Sequence, residues 1–271
     1  MLLMSVKEGF QALERENFLS QPNIPLFESE PASEELILSV HTEDMLESVR
    51  RSGYYEASLY SVGGMVQATE KVLTNEIDNA FVFVGVGGHH ASRTSYWGGC
   101  FLNPMAIAIT KVRESLGVKR FAIVDTDTHH ADGTRAIFKD DGNILHICFC
   151  GGYFWDFRNT TQSKTKVCLS HVNSDEEFIQ KLKEEIPPRI KEFKPELLYW
   201  VCGLDTHKDS YGTRMITERC YPKLAQIIKE TADEFSNGKL VVETYSNAPA
   251  HVTEYVNPRI VDCLAELKKY Q

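Results

Sequence analysis

The stretch Asp125-Thr126-Asp127-Thr128-His129-His130-Ala131-Asp132-Gly133 brings three carboxylates and two imidazoles into the eight residues from Asp125 to Asp132. It follows Arg120-Phe-Ala-Ile-Val124, an apolar run that reads as a buried strand. Side chains alternate along an extended strand end, so Asp125, Asp127 and His129 share one face and Thr126 and Thr128 the other. The oxygen of Asp127 and the nitrogen of His129 suit zinc or ferrous iron better than calcium or magnesium, which take all-oxygen shells. Two ligands leave such a site incomplete, and a third must come from elsewhere in the chain. The plainer alternative is a solvated strand end in which Asp132 caps the next helix.

The rest of the chain reads as alternating strands and helices. Apolar runs at 80–85, 120–125, 143–149, 196–202 and 239–243 have the continuous character of strands in a parallel sheet covered on both faces. Helices are expected over 5–18, 57–73, from Asn103-Pro104 through Leu116, from near Asp132, from the capping box at Ser174, over 217–235 and over 258–269. Thr42 is a plausible N-cap for another short helix. Pro187-Pro188 is expected to interrupt the helix that begins at Ser174. The fold class that follows is α/β, one domain over 1–271 built on a mostly parallel, doubly wound sheet, with the strand ends gathered on one rim. Three of those ends carry chemistry: Gly87-Gly-His89-His90, the Asp125 stretch, and Gly203-Leu-Asp205. Asp205 is the natural third ligand beside Asp127 and His129, leaving coordination positions for water and a substrate carbonyl.

The formal net charge of −9 and the lack of any Lys/Arg cluster argue against nucleic acid as the direct partner. Seven scattered cysteines are not a disulfide framework and point to a reducing, cytoplasmic setting. Cys148 and Cys150 are read as facing opposite sides of a strand and hence as a poor chelate. The N-terminal apolar run is too short for a signal peptide, and no stretch reaches the length of a membrane span. A homo-oligomer is compatible with the sequence.

From about His41 to Asn247 the residues resemble the histone deacetylase and acetylpolyamine deacetylase superfamily of the arginase-deacetylase fold. Gly88-His-His-Ala91 is similar to G-H-H-A, and Gly98-Gly-Cys-Phe-Leu-Asn103 to G-F-C-x-x-N. The Asp125–Gly133 stretch resembles D-x-D-x-H-H-G-D-G with Ala131 in place of a glycine, and Gly203-Leu-Asp205 with Asp209 and Gly212 resembles G-x-D followed by D-P-L-G. The resemblance implies a zinc-dependent amidohydrolase that removes an acyl group from a small-molecule amine or an acylated lysine, with Zn2+ (or Fe2+) on Asp127, His129 and Asp205. It pairs His89 with Asp125 and His90 with Asp132, makes His90 the general base and acid, and gives His89 an electrostatic role. It also implies a structural K+ near Asp125 and Asp127, and it leaves His130 without a catalytic role.

Several departures qualify the resemblance. Val242-Glu-Thr-Tyr245-Ser-Asn247 stands where E-G-G-Y is expected, so Tyr245 arrives one position early and Ser246 takes the tyrosine's place. Gly99 stands where an aromatic tunnel wall is expected, next to Gly98, and Tyr96, Trp97, Phe154 or Trp155 must fill the gap. The usual N-terminal strand segment is absent, and the segment between Ser52 and Gly64 lacks an acidic peptide-gripping loop, which argues against a histone tail. A non-catalytic metal-binding module that recognises an acyl group is the competing reading, and an arginase-like dinuclear hydrolase a weaker one.

Overall fold

The computed structural model describes residues 6–150, 163–212, 214–245 and 248–270. Strands β1 (Asn79–Phe83), β2 (Phe121–Asp125), β3 (Ile144–Cys148), β4 (Lys166–Cys168), β5 (Leu197–Gly203) and β6 (Leu240–Tyr245) form one sheet in the order β1-β6-β5-β2-β3-β4, every pairing parallel. The helices are α1 (Val6–Arg15), α2 (Glu34–Leu38), α3 (Glu43–Arg51), α4 (Tyr55–Leu73), α5 (Pro104–Leu116), α6 (Asp132–Phe138), α7 (Asp175–Phe193), α8 (Cys220–Phe235) and α9 (Ala250–Leu264).

Strand alternation divides the core between the two faces. Ala122, Val124, Leu198, Trp200 and Val242 pack with α7, α8 and α9, while Phe121, Ile123, Tyr199, Val201 and Val241 pack with α2 to α5. This is the doubly wound α/β arrangement that continuous apolar strands require, because a parallel strand buries both faces. No described helix is long and apolar enough to cross a membrane.

The structure corrects the sequence reading in three elements. Helix α7 runs straight through Pro187 and Pro188. The two carbonyls that lose their N–H partners belong to Lys183 and Glu184, both exposed, so water satisfies them, while Leu182, Ile186 and Ile190 keep the buried stripe continuous. Pro258 lies inside α9, which begins at Ala250. Strand β4, only three residues long, was not foreseen, because so short a run carries no periodicity.

Between β1 and α5 the chain carries His89 and His90 across the rim, and His41 fixes this loop from outside. The His41 Nδ1–H donates to Ser92 O at 2.7 Å, and Nε2 accepts from the Asn103 N–H at 3.0 Å. Asn103 caps α5 through the Ala106 N–H and donates its amide to Ala91 O and Thr134 Oγ1. Both roles of His41 need a neutral ring, and burial outweighs the Ser92 hydrogen bond to depress its pKa from 6.5 to about 4. The unfolded chain therefore binds a proton that the fold refuses. The stability tied to neutral His41 is complete above 6.5 and is lost as pH falls to about 4, about 3 kcal/mol in all. Urea unfolding across that window is expected to show wild type losing about that much more than His41→Gln. Parallel pH profiles would contradict the assignment.

Candidate metal and hydrolytic site

The carboxyl ends of β2, β5 and β6 and the loops after β1 and β2 converge on one rim. Asp125 ends β2, and its Oδ1 accepts the Asp127 N–H at 3.0 Å, which bends the chain out of the sheet. On the opposite face Thr126 accepts the Trp200 indole N–H at 2.9 Å and donates to Val201 O, tying the motif to β5. Asp127 Oδ1 accepts the His129 N–H at 2.7 Å, and Asp205 Oδ1 accepts the Thr128 N–H at 3.2 Å. Gly203 is required here: a Cβ would lie 2.6 Å from the Asp127 Cα.

Asp127, His129 and Asp205 each direct one donor atom to a common point, all within 4.8 Å of one another. His129 Nδ1 lies 3.0 Å from Asp127 Oδ1 and 2.8 Å from Asp205 Oδ2. Although it is that close, Asp205 Oδ2 has no partner in hydrogen-bonding geometry and is fully buried. An orphaned carboxylate oxygen beside a converging imidazole nitrogen is what a bound cation would satisfy, and the O, N, O set fits zinc or ferrous iron. Burial and the Asp127 charge push Asp205 up to about 7. At His129 burial acts downward, but Asp127 and Asp205 outweigh it and raise the ring to about 10. A cation bound by these donors would have to displace the proton that the two carboxylates favour on this ring.

Both expected histidine–carboxylate contacts are present. His89 Nδ1 lies 3.1 Å from Asp125 Oδ2, and His90 Nδ1 lies 2.6 Å from Asp132 Oδ1. The two rings differ in charge. Burial lowers His89, yet Asp127 and Asp125 overcome it and raise the ring to about 9. Burial and the neighbouring His89 depress His90 to about 4. One imidazole is thus cationic and the other neutral, with its Nε2 left for the cavity.

Asp132 does not cap α6. The helix N-cap is Ala131, and the Asp132 oxygens go instead to His90 and to the Trp97 indole N–H at 2.8 Å. Trp97 lies over His90, ring centroids 3.8 Å apart. A cavity of about 180 Å³ opens above these groups, lined by both histidines, Trp97, Gly98, Gly99, His129, Tyr211 and Tyr245 among others. Gly98 takes φ +62°, and a Cβ there would lie 2.7 Å from the His90 ring.

Trp97 and Tyr211 are the aromatic walls, so the gap left by Gly99 is filled from the sequence neighbour Trp97 and from across the rim. The sequence reading missed Tyr211, which stacks on His129 at 5.5 Å; its only signal was its place between Asp209 and Gly212. Phe154 and Trp155 lie outside the described residues, as does Ser246. Tyr245, the last residue of β6, reaches the cavity after all, and its hydroxyl donates to Asp127 Oδ2 at 3.0 Å. Pairing with Gly203 extends β6 two residues past the Glu243–Val201 pair, so Tyr245 shares a face with Glu243 and the strand itself points the ring inward.

A parallel α/β sheet with this donor set at its strand ends defines an enzyme of the metal-dependent hydrolase class. The family model of the histone deacetylase domain matches residues 4–244, and the chain belongs to that family. It is similar to a probable deacetylase of Archaeoglobus fulgidus, 29% identical over 84% of this chain and 70% of the relative. A histone deacetylase-like amidohydrolase of Pseudomonas aeruginosa is 26% identical over 78% of this chain and 63% of its own length. A polyamine deacetylase of Rattus norvegicus is 26% identical over 66% and 33% respectively. The chain thus spans less than two thirds of the latter two.

Replacing Asp132 by Asn removes the carboxylate that supports a proton on His90. The expected result is a His90 titration midpoint still lower than in the wild type, together with a shifted Trp97 indole N–H resonance, both read by NMR. A midpoint unmoved by the substitution would show that Asp132 does not govern the ring.

Proposed function

We propose that the chain hydrolyses the amide of an acylated amine, releasing an acetyl or related acyl group, with zinc held by Asp127, His129 and Asp205. The observation that carries this reading is the convergence of Asp127, His129 and Asp205, one donor atom from each within 4.8 Å of the others, beneath the cavity lined by His129, His90 and Tyr245. Zinc, or ferrous iron in the same donor set, would polarise the acyl carbonyl and acidify the attacking water. A structural K+ beside Asp125 and Asp127 belongs to the same proposal.

The chain's own groups divide the remaining work. His90, neutral and held at Nδ1 by Asp132, takes the proton of the attacking water on Nε2 and returns it to the departing amine. Cationic His89 stabilises the negative charge that develops on the former carbonyl oxygen. Burial and the surrounding carboxylates keep the Tyr245 phenol protonated, and its one hydrogen, given to Asp127 Oδ2 here, would turn to that oxygen once Asp127 is engaged by the metal. Trp97 and Tyr211 offer flat apolar walls to an acyl amide and its aliphatic stem, while Gly98 and Gly99 keep the passage wide. The net charge of −9 favours the approach of cationic amines, which supports acetylpolyamines and small acylated amines over a histone tail.

The competing module that only recognises an acyl group drew its motive from the displaced tyrosine, and the Tyr245 hydroxyl in the cavity weakens it. The metal-loaded protein is expected to turn over at least one member of a panel of acetyl-lysine peptides, acetylpolyamines and short-chain acyl amides, and to lose that activity on chelation. Tyr245→Phe is expected to lower kcat by roughly 10²–10³-fold with KM little changed. Turnover of no panel member by zinc-replete protein would favour the module.

A further inference from the structure

The motif residue that the proposed chemistry does not use, His130, stands in a second cluster of donors. Its Nδ1 lies 3.1 Å from Cys150 Sγ and 3.7 Å from Cys168 Sγ. Cys148 ends β3 and Cys168 ends β4, and the two are register partners on adjacent parallel strands. One donor atom each from His130, Cys148 and Cys150 lies within 4.8 Å of the others. Cys148 and Cys150 are fully buried and His130 nearly so, Cys168 is partly buried, and all three thiols are free. The expectation that Cys148 and Cys150 face opposite sides was mistaken: residues two apart on a strand share a face.

We infer that His130, Cys148, Cys150 and Cys168 form a second metal site, a soft three-sulfur, one-nitrogen cage that binds one zinc ion. The donor set is that of a closed structural zinc site, which takes four protein ligands and no water. A tetrahedron with Zn–S bonds of ~2.3 Å has sulfur–sulfur edges of about 3.8 Å. The corresponding nitrogen–sulfur edge is about 3.5 Å, and the His130 Nδ1 separations of 3.1 Å from Cys150 Sγ and 3.7 Å from Cys168 Sγ lie on either side of it; His130, Cys148 and Cys150 converge within 4.8 Å, and Cys168 joins them through its contact with His130. Thiolates also exclude the hard cations that prefer oxygen. Two buried thiols and a partly buried third gathered on an imidazole have no apolar purpose that aliphatic side chains would not serve better.

The site would reinforce the edge of the sheet, where Arg135 and Lys166 already tie β4 to its neighbours. Strand β4 is a three-residue edge strand, paired on one side only with β3. A metal clip would fasten β4 and β3 to the loop that carries His129, the residue directly before His130. Cys148 Sγ already contacts the His129 carbonyl at 3.7 Å. The two sites would lie back to back, one open and oxygen-rich towards the cavity, the other closed and sulfur-rich within the sheet edge.

The inference does not depend on the proposed hydrolysis, and its test separates the two. Full-length wild type, purified with zinc and dialysed, is expected to hold two zinc ions per chain by elemental analysis. Asp205→Ala is expected to keep one, with sulfur scatterers at ~2.3 Å in zinc X-ray absorption. Cobalt replacement in Asp205→Ala is expected to give an intense thiolate-to-metal charge-transfer band in the near ultraviolet. The double variant Cys148→Ser, Cys168→Ser is expected to retain one ion and lose that band. Should the double variant fail to fold, the Asp205→Ala measurements decide alone, since every cysteine is then in place. Wild type with a single ion that Asp205→Ala abolishes, a cobalt spectrum without the thiolate band, or a disulfide among Cys148, Cys150 and Cys168 in a non-reduced peptide map would each overturn the inference.

Discussion

Burying several carboxylates in one place is the constraint around which this molecule is arranged. Asp125, Asp127, Asp205 and Glu243 all lie within the sheet's rim with almost no exposure. Unpaired, such charges cost several kcal/mol each. The fold answers with backbone N–H donors, a cationic His89, and the convergence on His129, a single imidazole that Asp127 and Asp205 must share. A divalent ion is the simplest remaining counter-charge.

That excess negative charge also sets the two dyads apart. His89 faces Asp125 and Asp127 and holds a proton, whereas His90, one residue on, meets His89 and the Trp97 ring and stays neutral. Adjacent residues thereby acquire opposite protonation without any difference in type. Trp97 contributes twice, covering His90 and fixing the second oxygen of its carboxylate partner. The precision comes from groups whose own positions are fixed: His41 and Asn103 hold the loop, and Thr126 anchors the motif to Trp200.

His129 and His130 illustrate how a strand end separates chemistries. The first turns to two carboxylates at the cavity, the second to two thiols at the sheet edge. The turn made by the Asp127 and His129 N–H groups on the Asp125 and Asp127 carboxylates sends these neighbouring rings apart, so one motif can serve two unlike environments. The second environment is built by Cys168 of β4 and by Cys150, two residues past the end of β3.

The sequence by itself determined the parallel α/β class, five of the six strands, the caps at Thr42, Asn103 and Ser174, and the two strand ends that carry Asp127, His129 and Asp205. These rest on local pattern: continuous apolar runs, capping residues and motif spacing each act within a few positions. Tertiary structure alone decided that Tyr245 enters the cavity, that Tyr211 and Trp97 form its walls, that α7 passes through two prolines, and that three cysteines distant in sequence gather around His130. Each of those outcomes depends on what lies opposite in space. A strand register, a solvent-facing carbonyl and a cross-strand thiol pair are relations between segments, which no single segment specifies.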